Sequence, residues 1–356
     1  MYRIPFVEVY RTCEKERPFV ELIVEGRGTF LSKHQGRLRV SREQKMVQEV
    51  PLLHLERVII VDNSIALSSD VVRVCAEEGI PIFFLSSRGY AIASLYSAGL
   101  TGTVLTRRSQ LLAYENERGV LAAKAMITGK LENQANLLRY IAKYRRETDT
   151  ALYDELSLVV LELRDALHEV EGLHAARIED IREHLMSVEG RAAQKYWAAI
   201  GRILPPDLHW PGREHRGATD PFNSLLNYGY GILYGRLEQA LTLAGLDPYG
   251  GFLHADRPGK PSLVLDFVEE FRQPIVDRTV IGLVNKRFVV EQDDDARLKE
   301  DTRKKLAEKI NERFESTEVY EKKRQTLRVI VQNQARHLAC FLRGEREQYD
   351  PFVAGW

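Results

Sequence analysis

Up to residue 98 the apolar positions come in short β-branched and aromatic runs, PFVELIVEG, RLRVSR, LERVIIVD, IPIFFLSS and YAIASLY, separated by Gly, Pro, Asn and Asp. Runs of that length and punctuation predict strands. One segment departs from the pattern. In SSDVVRVCAEEG, Val71, Val74 and Cys75 form a helical stripe, with Ser69 or Asp70 as cap and Gly79 as stop. The segment SAGLTGT, 97–103, has the Ser and Gly of a hinge, and beyond it the apolar period lengthens from about 2 to about 3.6 residues. Amphipathic tracts then cover 105–145, 150–171, 175–204, 221–245, 262–289 and 300–343. In KEDTRKKLAEKINERFES, 299–316, Leu306, Ile310 and Phe314 recur every four residues among alternating charges, the pattern of a helix with one solvated face. The prediction is an α+β fold: a small β-rich domain over 1–98 and a larger all-α domain over 104–356.

Composition narrows this only a little. A chain of 356 residues is long enough for two cores. Its 44% hydrophobic and 29% charged residues exclude a fibre or a disordered chain. No apolar run approaches the roughly 18 residues of a membrane span, and the N-terminus lacks the apolar core of a signal peptide, so a cytoplasmic protein is expected. Cys13, Cys75 and Cys340 lack metal or disulfide spacing and read as small hydrophobes. With 51 Lys+Arg against 51 Asp+Glu, nothing global draws the chain to nucleic acid, and a polyanion needs a local patch. Arg213, His215 and Arg216 offer one, Arg257 and Lys260 another, Arg278, Lys286 and Arg287 a third. Each alone reads better as a solvated loop.

Three features carry chemistry. In IEDIREHLMSVEGRAAQKYWAAIGRIL, Ile178, Ile181, Leu185, Val188, Ala192, Tyr196, Ala199 and Ile203 form one apolar stripe, and Glu189 projects from its edge. A carboxylate there needs a compensating cation or donor, and an internal salt bridge with an Arg would suffice. In ATDPFNSLLNYGYGILYGRLEQALTLAG, Asp220 caps and Pro221 starts a helix that carries Gly229, Gly231 and Gly235 inside, with Asn223 and Asn227 on one face. Each internal glycine weakens a helix by about 1 kcal/mol, so close packing should offset it. In GGFLHADRPGKPSLVLDFVEEFRQP, His254 sits in a loop before a helix beginning near Ser262. There Leu263, Val264, Phe267, Val268 and Phe271 make the buried side, while Ser262, Asp266, Glu269 and Gln273 make the other. Asp266 and Glu269 stand one turn apart, as acids also do on any solvated helix.

Carboxylates with one imidazole suit Mg²⁺ or Mn²⁺ better than a sulfur-rich zinc site. Such an ion would polarise a phosphoryl oxygen, and nearby Arg and Lys would meet the extra negative charge. The residues thus point to phosphodiester chemistry on nucleic acid, with hydrolysis and transesterification both open.

GFLHADRPGKPSLVLDFVEEFRQPIVDR, with DPFNSLLNYGYGILYG and SVEGRAAQKYW upstream and a GIPIFFLSSRG-type stretch in the first domain, closely resembles the CRISPR-associated integrases that insert new spacers into the CRISPR array (the Cas-one family). The resemblance implies that Glu189, His254 and Glu269 match the metal-binding positions, that Asp266 matches a further acidic position of the catalytic set, and that Arg257, Lys260, Asn227 and Tyr228 fall in motif positions near the site as DNA contacts or support. Arg216 is a further candidate DNA contact. The resemblance also implies a homodimer formed through the β domain and a heterohexamer with the small Cas-two adaptation protein. It implies prespacer, leader–repeat and branched DNA as substrates, and joining of 3′-hydroxyl ends by transesterification. A nuclease specialised for branched DNA and a non-catalytic DNA-binding scaffold are the rival readings. The run EQDDDARLKE, 291–300, balances the basic residues as acidic surface, flexible loop or docking face.

Overall fold

A computed structural model describes residues 20–61, 63–86, 91–96, 103–215 and 217–356. Its N-terminal part is built of β1 (Val20–Val24), β2 (Thr29–His34), β3 (Arg37–Arg42), β4 (Lys45–Pro51), β5 (Leu55–Val61), β6 (Ala66–Leu67), α1 (Ser69–Glu77), β7 (Ile82–Leu85) and β8 (Ala91–Leu95). Two sheets result, in strand orders β1-β5-β7-β8 and β4-β3-β2-β6. Alternation in β3 buries Leu38 and Val40, and these join Leu22, Leu31, Val58 and Ile60 in a core completed by Val71, Val74 and Cys75 of α1. Ser68, one residue earlier than expected, is the N-cap of α1, and Gly79 ends the helix at φ +69°. The β2–β3 and β3–β4 hairpins turn on Gln35-Gly36 and Glu43-Gln44, all at positive φ. The second turn carries no Gly or Asn, which is why the sequence pattern does not announce β4. Cys13 and the proposed hinge at 97–103 lie outside the described residues, apart from Thr103 at the start of the next helix.

The chain divides into two compact units, Met1–Phe84 with Ile92–Ala98 and Leu85–Ala91 with Gly99–Trp356. The second contains α2 (Thr103–Ala113), α3 (Glu117–Lys143), α4 (Thr150–Glu171), α5 (Arg182–Ile203), α6 (Pro221–Leu243), α7 (Ser262–Phe267), α8 (Arg278–Asn285), α9 (Glu300–Glu315), the hairpin β9 (Thr317–Tyr320) and β10 (Lys323–Thr326), and α10 (Leu327–Leu342). The fold is therefore α+β, a strand-rich region followed by a helical one. Among the described residues no helix is long and apolar enough to cross a membrane.

All eight predicted stripe residues of the α5 region, from Ile178 to Ile203, are buried. Asp220 caps α6 by accepting from the Asn223 N–H. Inside that helix, a Cβ on Gly229 would come within 2.8 Å of Val276 Cγ1, so this glycine admits the facing segment.

Several predicted tracts differ from the structure: residues 105–145 are two helices, α2 and α3, with Asn116 capping the second, and 175–204 opens with a 3-10 turn, Ile178–Asp180, ahead of α5. Residues 300–343 are not one helix, because the β9–β10 hairpin interrupts them at a Glu321-Lys322 turn with both φ positive. Residues 262–289 are not one helix either. After α7 comes a 3-10 turn, Val268–Glu270, then a π turn, Arg272–Asp277, and only then α8. Pro274 has no N–H to give to a regular ladder, and the wider π turn accommodates it. Nor is the polar side of this segment solvated: Ser262, Asp266, Glu269 and Gln273 are all buried.

Candidate functional site

Lys130 lies on a buried stripe of α3 with Met126, Ile127, Gln134 and Leu137. Its ammonium forms ion pairs with Glu189 of α5 and with Glu269, the latter at 2.6 Å to Oε2. Side-chain exposures of 9% for Lys130, 19% for Glu189 and 7% for Glu269 put the trio beneath the surface. The compensating cation that Glu189 requires is thus a lysine from another helix. On the other side of Glu269, Arg272 Nε stands 3.2 Å from Oε1, and its guanidinium stacks on Tyr230 at 4.7 Å and Tyr234 at 5.5 Å. Burial alone would raise the Glu269 carboxyl, but Arg272 and Lys130 outweigh it and take it down to about 2.

His254 is held by Asp266. The Asp266 carboxylate accepts from the Phe252 N–H at 2.6 Å, the Leu253 N–H at 2.9 Å, the His254 N–H at 2.9 Å and His254 Nδ1 at 2.7 Å. Because a carboxylate only accepts, Nδ1 carries the proton, which leaves Nε2 of the neutral ring with its lone pair. All of this saturates Asp266, so it positions the imidazole and the loop rather than offering a free oxygen. A second proton on this ring would act on the Glu269 carboxyl, so the two side chains lie within electrostatic reach of each other. The loop can approach only because residue 251 has no side chain: a Cβ on Gly251 would sit 2.7 Å from Ser262 and 2.8 Å from Asp266 Oδ2. Gly251→Ala is expected to destabilise the protein by about 1–3 kcal/mol through overpacking, read as a lower denaturant midpoint at unchanged slope.

The adjacent acid does something else. Glu270 is fully buried and accepts from Gln334 Nε2 at 2.9 Å, the Phe352 N–H at 2.8 Å and the Tyr349 hydroxyl. Asn133 reinforces this by donating to Glu270 O and Phe352 O and accepting from the Ala354 N–H. Glu270 therefore clasps the segment 349–354, and Glu269 faces Lys130. Burial lifts the Glu270 carboxyl from its ordinary 4.5 to about 7 against the pull of these donors. Between those two values the folded chain keeps a proton that the unfolded chain has lost, so this group's contribution to stability falls as pH rises. Glu270→Gln is expected to flatten the pH dependence of the denaturant midpoint across that window, and an unchanged slope there would refute the assignment.

The remaining predicted residues are distributed as follows. Asn227 Oδ1 accepts from Arg213 at 2.7 Å, and its Nδ2 donates to Glu214 O, so it secures Arg213 and Glu214 in the loop before α6. Tyr228 is 5% exposed and lines a cavity of about 200 Å³ with Asn227 and residues 295–298. Arg257 and Lys260 line a different cavity, of about 480 Å³, with His254, Glu179 and Arg182. Arg216 lies outside the described residues. Arg213 is not a solvated cation: it stacks between Trp197 and Tyr230 and bonds Asn223. Arg278 likewise stacks on Tyr140 and Trp356. The acidic run at 291–300 folds back on α6 through Gln292, which bonds Thr219 O and Ser224 Oγ.

Lys130 and Arg272 are the neighbours that sequence reasoning missed, and His215 was read only as part of a basic patch with Arg213 and Arg216. His215 is exposed as a residue, yet partial desolvation of its ring and the charges of Arg213, Arg272 and Lys130 push the imidazole down to about 4 while Glu269 pulls it up, so the ring lies within electrostatic reach of the same cluster. A lysine on an apolar stripe is the same signal that singled out Glu189, and it was there to be read in α3. Among the described residues no three His, Cys, Asp or Glu side chains form a group that would hold a metal ion as they stand. Glu189 and Glu269 do converge, on the ammonium of Lys130.

The profile described as CRISPR associated protein Cas1 matches residues 22–312. A CRISPR-associated endonuclease Cas1 of Archaeoglobus fulgidus is 36% identical over 348 residues, covering 95% of this chain and 100% of that protein. One from Thermus thermophilus is 35% identical, covering 91% of this chain and 94% of its own. Among solved structures, a casposase bound to integration product is similar at TM-score 0.79 and 22% identity, over 93% of this chain and 92% of that one. A CAS1 protein from Thermotoga maritima is similar at TM-score 0.74 and 19% identity, over 95% and 99%. The chain belongs to the CRISPR-associated Cas1 family.

Proposed function

We propose that this chain is a metal-dependent DNA integrase and endonuclease of CRISPR adaptation, joining the 3′-hydroxyl ends of a prespacer to the CRISPR repeat by transesterification. The observation that carries the reading is the meeting of Glu189 and Glu269 on one cation, with the His254 ring clamped nearby by Asp266. The relatives are named as endonucleases, and structural neighbours include a casposase with an integration product and a Cas6-RT-Cas1–Cas2 complex. In this reading residues 104–356 are the catalytic domain and 1–98 the dimerisation domain. Edge strand β4, with Met46 and Val47 exposed, offers an apolar surface for a second copy. The further partners are the small Cas2 protein, in a heterohexamer, and double-stranded branched DNA, all in the cytoplasm.

The donor set fits Mg²⁺ or Mn²⁺: two carboxylates and one imidazole, with Glu269 Oε2 buried and already facing a cation, the Lys130 ammonium. Glu189, Glu269 and His254 would hold the ion, which when bound supplies Lewis-acid polarisation of a phosphoryl oxygen. The chain's own residues do the rest. Asp266 fixes the tautomer and direction of His254. Arg272 keeps Glu269 ionised. Arg257 and Lys260, on the loop that follows His254, meet phosphate charge. In the exchange the prespacer 3′ oxygen bonds to phosphorus as the bond from phosphorus to the repeat strand's 3′ oxygen breaks. The proton lost by one hydroxyl is matched by the proton gained by the other, and no water is consumed.

A strand-transfer assay on branched DNA in Mn²⁺ tests this. Glu189→Ala and His254→Ala should yield no joined product while remaining folded, and full activity in either overturns the ligand assignment. Nicked ends without joined product from the parent chain would favour a branched-DNA nuclease.

A further inference from the structure

The geometry points to Lys130 as a resident counter-ion that holds the acidic pair together without a divalent ion and gives way when one binds. This rests on the reading of Glu189 and Glu269 as ligands. Two carboxylates facing one another in a shielded site repel unless a cation lies between them. Here that cation is Lys130, whose Nζ meets both. Its Nζ reaches Glu269 Oε2 at 2.6 Å from the end of an unbranched, rotatable stem. Arg272, by contrast, is bonded to Oε1 and stacked on two tyrosine rings, so its plane is fixed. Of the two cations, the one on a flexible four-carbon stem with a rotatable head is the one that can move.

With Lys130 and Arg272 against Glu189 and Glu269, the cluster is balanced. A divalent ion on the same carboxylate oxygens would add two positive charges beside the ammonium, and the repulsion would drive Lys130 off. Two consequences follow. Lys130 must weaken divalent-ion binding, because its ion pairs are lost when the metal enters. The released ammonium also seeks an anion, so DNA phosphate and metal should each strengthen the binding of the other, by the reciprocity of linked equilibria.

The test is calorimetric titration of Mn²⁺ into the full chain, its Lys130→Met variant and its Glu189→Gln variant, with melting in chelator and in saturating Mn²⁺. Lys130→Met is expected to bind Mn²⁺ at least about tenfold more tightly, to melt below the parent in chelator and to recover in Mn²⁺. In the unmodified chain, acylation of Lys130 by an amine-reactive reagent, read by mass spectrometry, should rise on adding Mn²⁺. That measurement decides the matter even if Lys130→Met fails to fold without metal. Mn²⁺ binding no tighter in Lys130→Met, or acylation unchanged by Mn²⁺, overturns the displacement while loss of binding in Glu189→Gln leaves the ligand reading standing. Unaltered binding in Glu189→Gln would remove both.

Discussion

Glu269→Ala is expected to lower stability at neutral pH by about 3–5 kcal/mol, the range for breaking a buried ion pair from one side. Lys130 then keeps only Glu189, and Arg272 loses its carboxylate while remaining stacked on Tyr230 and Tyr234. For a helical unit of this size that is a drop in melting temperature on the order of 10 °C. The acid limb of the stability curve should change as well. The folded Glu269 carboxyl is held below its ordinary 4.5, so its contribution is present above pH 4.5 and is lost as pH falls toward about 2. The variant should lack that part of the acid dependence. Glu269→Gln keeps the shape without the charge, and strand transfer should be undetectable in both. Parent-like stability in Glu269→Ala would mean that Lys130 and Arg272 do not depend on this carboxylate.

Asp266→Ala should have the second largest effect, through His254. Removing a fully buried carboxylate leaves the N–H groups of Phe252, Leu253 and His254 without their acceptor, at a cost of about 1–3 kcal/mol for each that stays dry. The imidazole also loses the partner that fixes its proton and direction. Outer partners of metal-binding histidines typically matter by about 10–100-fold, and a loss of that order in Mn²⁺ affinity is expected here once the folded fraction is allowed for. The double variant with His254→Ala should lose little more than His254→Ala alone, because Asp266 acts on the metal only through that ring. Full additivity in that cycle would instead make Asp266 an independent ligand.

Much of this architecture could be read along the chain. Periodicity located α5 and its whole buried stripe, the Asp220 cap of α6 and the core-facing positions of α9, because each depends on which face of one element is apolar. A loop histidine followed by an acidic turn also stood out locally. Harder to read were turns made without their usual residues: Glu43-Gln44 and Glu321-Lys322 adopt positive φ in hairpins whose strand pairing holds them there. The break at Arg272–Asp277 was hidden because an apolar period of 3.6 continues across it.

Periodicity could say that Glu189 needed a cation and that Glu269 and Glu270 were both acidic. It could not say that the cation would be Lys130 or that Glu270 would turn inward to hold Phe352, since those pairings join residues far apart in the chain. A local pattern specifies which face a side chain occupies. Which group meets it there is decided by how separate helices pack, and here that packing sets Lys130 between the two acids and Asp266 beneath the histidine.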